Sequence, residues 1–329
     1  MTLPADPLQW SIGLVGYGEV GRILAEDLRA RGAAHVVAHD IKQGGPEEAP
    51  LRAHAQRHGV RLAASHGALA AQCDLLLSAV TASQAVPVAE VCAPRLRSGA
   101  WFLDFNSASP GAKIRAGGIV AAAGGRYVEG AVMTSIPPCR IRVPLLAGGP
   151  HAAELVPLIN SLGFAAQAGP EKLGVASATK MCRSVMIKGL EAMVIESFTA
   201  ARAWGVEDAV LASLAETFPG IDWEKQGAWF FQRVIQHGRR RAEEMREAAQ
   251  TVREAGLEPW SASGTAERQA WMADLADAGL FGDRNAPRKD WRADADRILS
   301  VRASPFPPTR ESTITDNPLD SRFRGDEDD

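Results

Sequence analysis

The sequence predicts an α/β fold, a doubly wound and mostly parallel sheet followed by a long helix and an all-α C-terminal region. Three observations carry this. Short apolar runs alternate with amphipathic stretches from Ser11 to Leu162, the pattern of successive βαβ units. A proline-free segment, Glu171 to Trp204, lies between Gly169-Pro170 and Gly205, which are start and stop signals for one long helix. Beyond Gly169 no strand pattern remains. The chain therefore divides into a sheet domain over 1–170, an interdomain helix over 171–204, an all-α domain over 205–302 and a tail over 303–329.

Taken in order, Ser11–Gly16 is a short apolar strand that runs directly into a glycine-rich turn. Glu19–Arg31 follows as an amphipathic helix with Val20, Ile23, Leu24 and Leu28 on one face. His35–Asp40 is a second strand, ending in a carboxylate. Gly44-Gly45-Pro46 breaks the pattern before a helix over Glu47–His58. Val60–Ser65 and Asp74–Val80 are strands, the latter almost continuously apolar, as a parallel strand buried on both faces is. A helix over Gln84–Leu96 and a strand over Ala100–Asn106 come next. A helix then opens at Pro110, where the missing proline N–H would have no helical partner in any case. Arg126–Met133 and Val143–Ala147 add strands, and His151–Leu162 a helix. After the long helix, helical segments are expected at Glu207–Thr217, Asp222–His237, Arg239–Ala255, Ala262–Asp277 and Asp290–Val301. From Ala303 the composition is proline-rich, polar and charged, which predicts a disordered tail.

Composition excludes several classes. With 329 residues, 46% hydrophobic and 23% charged, the chain has the balance of a globular protein long enough for two domains. A formal net charge of −3 supplies no basic field for nucleic acid or an acidic membrane. No apolar run approaches the ~18 residues of a membrane span. The cysteines Cys73, Cys92, Cys139 and Cys182 show no metal-ligand spacing, so no metal is expected, and isolated thiols suit a reducing compartment. The opening MTLPADPLQW lacks the basic-then-apolar pattern of a signal peptide, so the expected location is cytoplasmic.

Gly16-Tyr17-Gly18-Glu19-Val20-Gly21 fits G-x-G-x-x-G. The motif gains meaning from its place between strand and helix, with Asp40 nineteen residues after Gly21. Gly16 permits the tight turn, Gly18 lets backbone approach a pyrophosphate, Gly21 lets the helix pack closely, and the helix N-terminus faces the phosphate charge. Asp40 is placed to accept ribose hydroxyls; a carboxylate there repels a 2′-phosphate, which predicts NAD, while Lys42 keeps NADP open. The alternative for Asp40 is a surface carboxylate that merely ends a strand. Val80, Thr81, Asn106 and Ser107 sit at the carboxyl ends of two buried strands, where ligands of doubly wound sheets bind, and complete the expected cofactor contacts. Ser109 before Pro110 is an N-cap. The long helix opens with small residues (Gly174, Ala176, Ser177, Ala178) and then presents Lys180, the expected catalytic lysine at the domain junction.

Together GYGEVG, DFNSASP, YVEGAVMTS, LLAGGP and GVASATK, in this order from Ser11 to Trp204, resemble the β-hydroxyacid dehydrogenase family, which includes 3-hydroxyisobutyrate dehydrogenase and has 6-phosphogluconate dehydrogenase as a relative. The helical remainder, with TFPGIDWEK and HGRRRAEEM, resembles a less characterised subgroup with a phosphogluconate-dehydrogenase-like C-terminal domain. The resemblance implies a Rossmann domain, a long interdomain helix, an all-α substrate and dimerisation domain, and NAD(P)-dependent oxidation of a small 3-hydroxy acid by a homodimer. The family's GxGxxxK element falls on Gly174, Ala176 and Lys180, which makes Lys180 the general acid/base.

Two departures stand out. Arg183 and Ser184 occupy positions where the family has asparagine. Glu129-Gly130-Ala131-Val132-Met133-Thr134-Ser135 stands for the family's D-A-P-V-S-G-G loop, so Met133 replaces a substrate-binding serine, and Thr134 and Ser135 are left to contact the substrate carboxylate. Three roles are compatible with Arg183: depressing the Lys180 pKa, gripping that carboxylate, or a salt bridge elsewhere. HGRRRAEEM lies where relatives carry a Lys-Asp pair closing over the cofactor; His237 or an arginine reaches the site, or the segment is a solvated basic face. Competing functions are oxidative decarboxylation of a sugar acid, imine reduction, for which relatives generally lack the lysine, and nucleotide binding without catalysis.

Overall fold

The structure is a computed structural model that describes residues 4–301, and the tail expected from Ala303 lies outside the described residues. Strands β1 (Ser11–Val15), β2 (His35–His39), β3 (Arg61–Leu62), β4 (Leu75–Ser78), β5 (Trp101–Asp104), β6 (Arg126–Val132), β7 (Pro144–Gly148) and β8 (Ala165–Ala168) form one sheet in the order β3-β2-β1-β4-β5-β6-β7-β8. Every pair is parallel except β6–β7, with Gly130 opposite Ala147. The reversal has a local cause: residues 133–143 hold only a short helix and a 3-10 turn, too little to cross back over the sheet.

Helices cover both faces. On one, α1 (Glu19–Ala30), α2 (Glu48–Arg57) and the later helix over Ala152–Ser161 enclose Ile12, Leu14, Leu24, Leu28, Trp101, Leu103, Leu155 and Ile159. On the other, α3 (His66–Ala70), α4 (Ala85–Cys92) and α5 (Pro110–Ala122) enclose Val15, Leu76, Val88, Phe102, Val120 and Tyr127. The two-residue period of β5 is visible in this split: Trp101 and Leu103 enter one core and Phe102 the other. The short α6 (Ile136–Cys139) and α7 (Ala152–Ser161) complete this domain.

Four features differ from the sequence expectation, three of them in and beside the sheet domain. Strand β8 was not anticipated, because Ala-Ala-Gln-Ala carries none of the branched or aromatic residues that favour a pleated surface. The short α3 was not anticipated either; Ser65 caps it by accepting from the Ala68 amide at 3.1 Å. The long helix α8 (Val175–Trp204) starts four residues later than Glu171, since Gly174 adopts φ +91°, a left-handed conformation that stops helix growth toward Glu171. At 30 residues it runs about 45 Å.

Beyond it lie α9 (Glu207–Thr217), α10 (Trp223–Glu254), α11 (Trp260–Asp277) and α12 (Trp291–Ser300). Two helices were expected across His237–Arg239, but α10 is a single helix of 32 residues. Gly238 lies inside it because α11 passes there: a Cβ at 238 would come within 2.8 Å of the Gln269 carbonyl oxygen. Phe198 of α8, Trp223 and Phe231 of α10 and Trp291 of α12 form the core of the helical domain. Nearer the sheet domain, Met181 packs with Met245, Ala248 and Ala262. Among the described residues no helix is long and apolar enough to cross a membrane.

Candidate functional site

The turn after β1 is shaped by contacts that only glycine allows. A Cβ on Gly21 would lie 2.1 Å from the Gly16 carbonyl oxygen, and one on Gly16 (φ +88°) would lie 2.4 Å from that of Ala79. Gly18 is different: a Cβ there meets nothing within 4 Å, so the surface above it is open. Gly18 caps α1 without a side-chain hydrogen bond, leaving first-turn amides with no side-chain acceptor. An open glycine over an uncapped helix N-terminus is the cradle a pyrophosphate needs, and the residues present fit a dinucleotide. Glu19 is exposed in the first turn and Val20 packs on the core. Tyr17 is fully buried and its hydroxyl lies 3.0 Å from His54 Nδ1, so only its backbone belongs to the turn.

Asp40 is not a surface carboxylate. It is 7% exposed, and its two oxygens accept from the Tyr17 amide at 2.7 Å and the Lys42 amide at 2.9 Å. It therefore braces the glycine turn with its carboxylate. The Lys42 ammonium is paired with Glu47 at 2.6 Å.

On the other side of β1, Asn106 accepts from the Val80 amide at 2.7 Å and donates to Ser78 Oγ at 3.0 Å. Its amide group is spent on holding the ends of β4 and β5 together, which fixes the loop carrying Val80 and the exposed Thr81. Asp104, fully buried, accepts from the Asn106 amide at 2.8 Å and from the Tyr127 hydroxyl at 2.8 Å and pairs with Lys113 at 3.0 Å. Burial, followed by Asp104 itself, pushes the Tyr127 phenol well above its ordinary pKa, so it stays a donor. The loop that ends in Ser107 is thus rigid before any ligand arrives.

Ser107 receives the key contact: Lys180 Nζ donates to its Oγ at 2.6 Å. Lys180 lies on the second turn of α8, and its position depends on how that helix begins. Glu129, fully buried on β6, accepts from the amides of Gly174 at 2.8 Å, Ala176 at 3.3 Å and Ser177 at 3.3 Å, and from the Ser177 hydroxyl. A carboxylate takes up the orphan amides of the helix and complements its dipole.

The lysine is tuned. Its pKa is lowered to about 8, first by burial and then by the positive charges of Lys113, Lys188 and Arg240, against the opposing pull of Glu244. Glu244, on α10, lies 2.8 Å from Lys188 and also pairs with Arg240. Burial pushes the Glu244 carboxyl up, yet Lys188, Arg240 and Lys180 together hold it at about 2. Burial likewise lowers the Lys188 pKa. The group can hold a proton near neutral pH on an amine that faces the carboxyl edge of the sheet.

The other expected substrate residues are dispersed. Ser184 is buried one turn beyond Lys180 and accepts from Lys188 at 3.3 Å. Arg183 is exposed, and the charges that lower the Lys180 pKa are Lys113, Lys188 and Arg240 instead. Of the three roles open to Arg183, depressing the Lys180 pKa falls mainly to these other groups. Met133 is half-buried with its amide on the Pro144 carbonyl at 3.0 Å, Thr134 is exposed, and Ser135 precedes α6. His237 is exposed on α10, outside the Lys180–Ser107 contact.

Sequence reading missed Lys188, Glu244 and the capping role of Glu129. The only signal was a buried lysine two turns past Lys180 and an acid two turns past His237, and neither spacing is diagnostic without the α8–α10 packing. It also missed the latch between domains: Glu247 accepts from the Ser109 amide at 2.7 Å, and Glu254 from Ser109 Oγ at 3.0 Å and the Gly111 amide at 2.8 Å, at the N-terminus of α5.

Comparisons with known proteins agree with this architecture. A family model described as a domain of unknown function (DUF1932) matches residues 201–272, and one described as NADP oxidoreductase, coenzyme F420-dependent, matches residues 11–106. The chain is similar to a conserved hypothetical protein from Sinorhizobium meliloti 1021, with 36% identity, 88% of this chain and 96% of that one covered, and a TM-score of 0.72. It is also similar to MTH1747, a conserved protein of unknown function described as structurally similar to 3-hydroxyacid dehydrogenases (28% identity, 82% and 98% covered, TM-score 0.64). The 3-hydroxyisobutyrate dehydrogenase of Mycobacterium tuberculosis, solved with L-serine, shares the fold at 16% identity, with 89% and 99% covered and a TM-score of 0.62.

Proposed function

The chain belongs to the β-hydroxyacid dehydrogenase-like family, and from that premise we propose that it is an NAD(P)-dependent oxidoreductase acting on a small 3-hydroxy acid or its oxo form, with Lys180 as general acid/base. The observation that carries this reading is the Lys180–Ser107 contact at 2.6 Å, made by a lysine whose pKa is lowered to about 8.

Gly16, Gly18 and Gly21 with the start of α1 would hold the pyrophosphate, Asp40 the ribose, and the loops at Val80-Thr81 and Asn106-Ser107 the nicotinamide half. A bound nicotinamide supplies or accepts the hydride. Lys180 gives its proton to the substrate carbonyl oxygen in reduction and takes the hydroxyl proton in oxidation. Ser107 accepts the ammonium's hydrogen bond and keeps Nζ on the sheet side of α8. The exposed Thr134, with Ser135, and the exposed Arg183 offer contacts to the substrate carboxylate. NAD is the preferred cofactor in this reading, because Asp40 places a carboxylate at the ribose end and the Lys42 charge is already answered by Glu47. Exposed Met186 and Met193, one heptad apart on α8, support a homodimer built on the helical domain, and four free cysteines support a reducing cytoplasm.

The experiment is a turnover screen of 3-hydroxy and 3-oxo acids with NAD(H) and NADP(H), run on the wild type and Lys180→Ala. Turnover on at least one acid, lost in the variant by about 10²–10⁴-fold, supports the reading. Saturable cofactor binding with no turnover on any acid would sink it in favour of a nucleotide-binding protein without catalysis.

A further inference from the structure

Away from the active-site lysine, α1 and α2 bring together three side chains of metal-ligating type. His54 and His58 stand one turn apart at the C-terminal end of α2, the i, i+4 spacing that turns two imidazoles to one side of a helix, and Glu26 faces them from α1. One ligand atom from each lies within 4.8 Å of the other two, and all three residues are partly exposed, so an ion has a path in. His54 Nε2 is 2.9 Å from Glu26 Oε1. The two imidazole rings lie 4.5 Å apart between centroids and tilted by 32°, adjacent without being stacked flat.

We propose that Glu26, His54 and His58 form a binding site for a borderline divalent cation of the zinc class, clamping α1 to α2. Two imidazoles and one carboxylate are a donor set that suits zinc with one position left to water. Tetrahedral zinc with bonds of 2.0–2.2 Å needs ligand atoms about 3.3 Å apart. The His54–Glu26 pair therefore opens by a few tenths of an ångström, and the proton between them leaves to solvent as the ion enters. His58 turns inward to supply the third bond; among the described residues no hydrogen bond holds its ring.

The surroundings supply the orienting contacts that such ligands need. His54 Nδ1 lies 3.0 Å from the Tyr17 hydroxyl, which fixes the ring with Nε2 toward the ion. Glu26 keeps its second oxygen on Arg140 at 2.6 Å, so the carboxylate is held from behind. Arg140 is shared with Asp27 at 2.8 Å, and the guanidinium of Arg29 is spent on the carbonyls of His58, Ala33 and Ala34, so neither competes for the imidazoles. Cysteine spacing gave no hint of this site, because its ligands contain no sulfur and Glu26 is distant in sequence.

The test titrates zinc into chelator-stripped full-length protein by calorimetry, and repeats it with His58→Ala and Glu26→Gln. Thermal unfolding with and without zinc is recorded for each, and cobalt absorption spectra for the wild type. One saturable site, at least tenfold weaker in both variants, with a zinc-dependent rise in the wild-type midpoint and cobalt bands lacking thiolate charge transfer, is the expected result. His58→Ala removes no hydrogen bond of the fold, which keeps the comparison valid should Glu26→Gln lose stability. Absence of saturable binding, equal affinity in His58→Ala, or a thiolate band from the cysteines would overturn the proposal.

Discussion

The ammonium of Lys180 lies 2.6 Å from the hydroxyl of Ser107, joining the long interdomain helix to the loop at the carboxyl end of β5. Each partner is held from its own side. Ser107 follows a loop locked by Asp104, Lys113 and Tyr127, and Lys180 rides on a helix whose first amides are gathered by Glu129. The lysine's geometry is therefore set by the folded protein before substrate arrives.

The lowered pKa of Lys180, about 8, gives opposite pH profiles to the two directions. Reduction of an oxo acid needs the ammonium, so its kcat/KM is expected to be level below about pH 8 and to fall tenfold per unit above it. Oxidation of the hydroxy acid needs the free amine, so its kcat/KM rises with pH and levels off above the same value. Recording both limbs on one substrate pair checks this; limbs on the same side would rule out one group serving both directions.

Ser107→Ala removes an acceptor that favours the charged lysine. The limb in both directions is then expected to move to lower pH, with kcat reduced about tenfold by the loss of one positioning hydrogen bond. An unmoved limb with unchanged kcat would show that Ser107 does not position the amine.

Gly18 and Gly21 separate binding from folding. Gly21→Ala drives a methyl to 2.1 Å from the Gly16 oxygen and is expected to lower the melting temperature by several degrees, whereas Gly18→Ala meets nothing within 4 Å and should fold normally. Gly18→Ala should instead weaken NAD(H) binding about tenfold or more, read by fluorescence titration. Equal effects on folding from both variants would contradict this division.

Much of this arrangement is legible in the sequence where the physics is local. The glycine turn, the strand alternation around it and the position of Lys180 depend on residues within a few turns of one another. What depends on packing between distant segments is not. Arg183 lies three residues past Lys180, a rotation of about 60° around the axis at 3.6 residues per turn, and that offset leaves it exposed while Lys180 faces Ser107. Lys188 and Glu244 are fifty-odd residues apart and meet only because α8 and α10 pack side by side. Glu129 reads as a strand residue until the helix that it caps is seen to start at Val175. Strand β8 is built from alanines and glutamine, whose pairing with β7 comes from the edge they lie against.

Glu244 is where that hidden packing reaches the chemistry. Its charge opposes the lowering of the Lys180 pKa, so Glu244→Gln is expected to move the limb of both profiles below the wild-type value of about 8. It also leaves Lys188, whose side chain is 8% exposed, without its anionic partner, at a cost of roughly 3–5 kcal/mol for breaking a buried pair. The sign of the acid response follows from the same pairing. The folded carboxyl titrates at about 2 against 4.5 when unfolded, so the unfolded chain takes the proton first as pH falls. The stability due to Glu244 is complete above about pH 4.5 and is lost as pH falls toward 2. Chemical denaturation at several pH values should show that loss in the wild type and a smaller one in Glu244→Gln. Glu244→Asp, which restores the charge, should return the kinetic limb toward its original pH. Lower stability with an unmoved limb would make Glu244 a packing residue of the helical domain with no hold on the lysine.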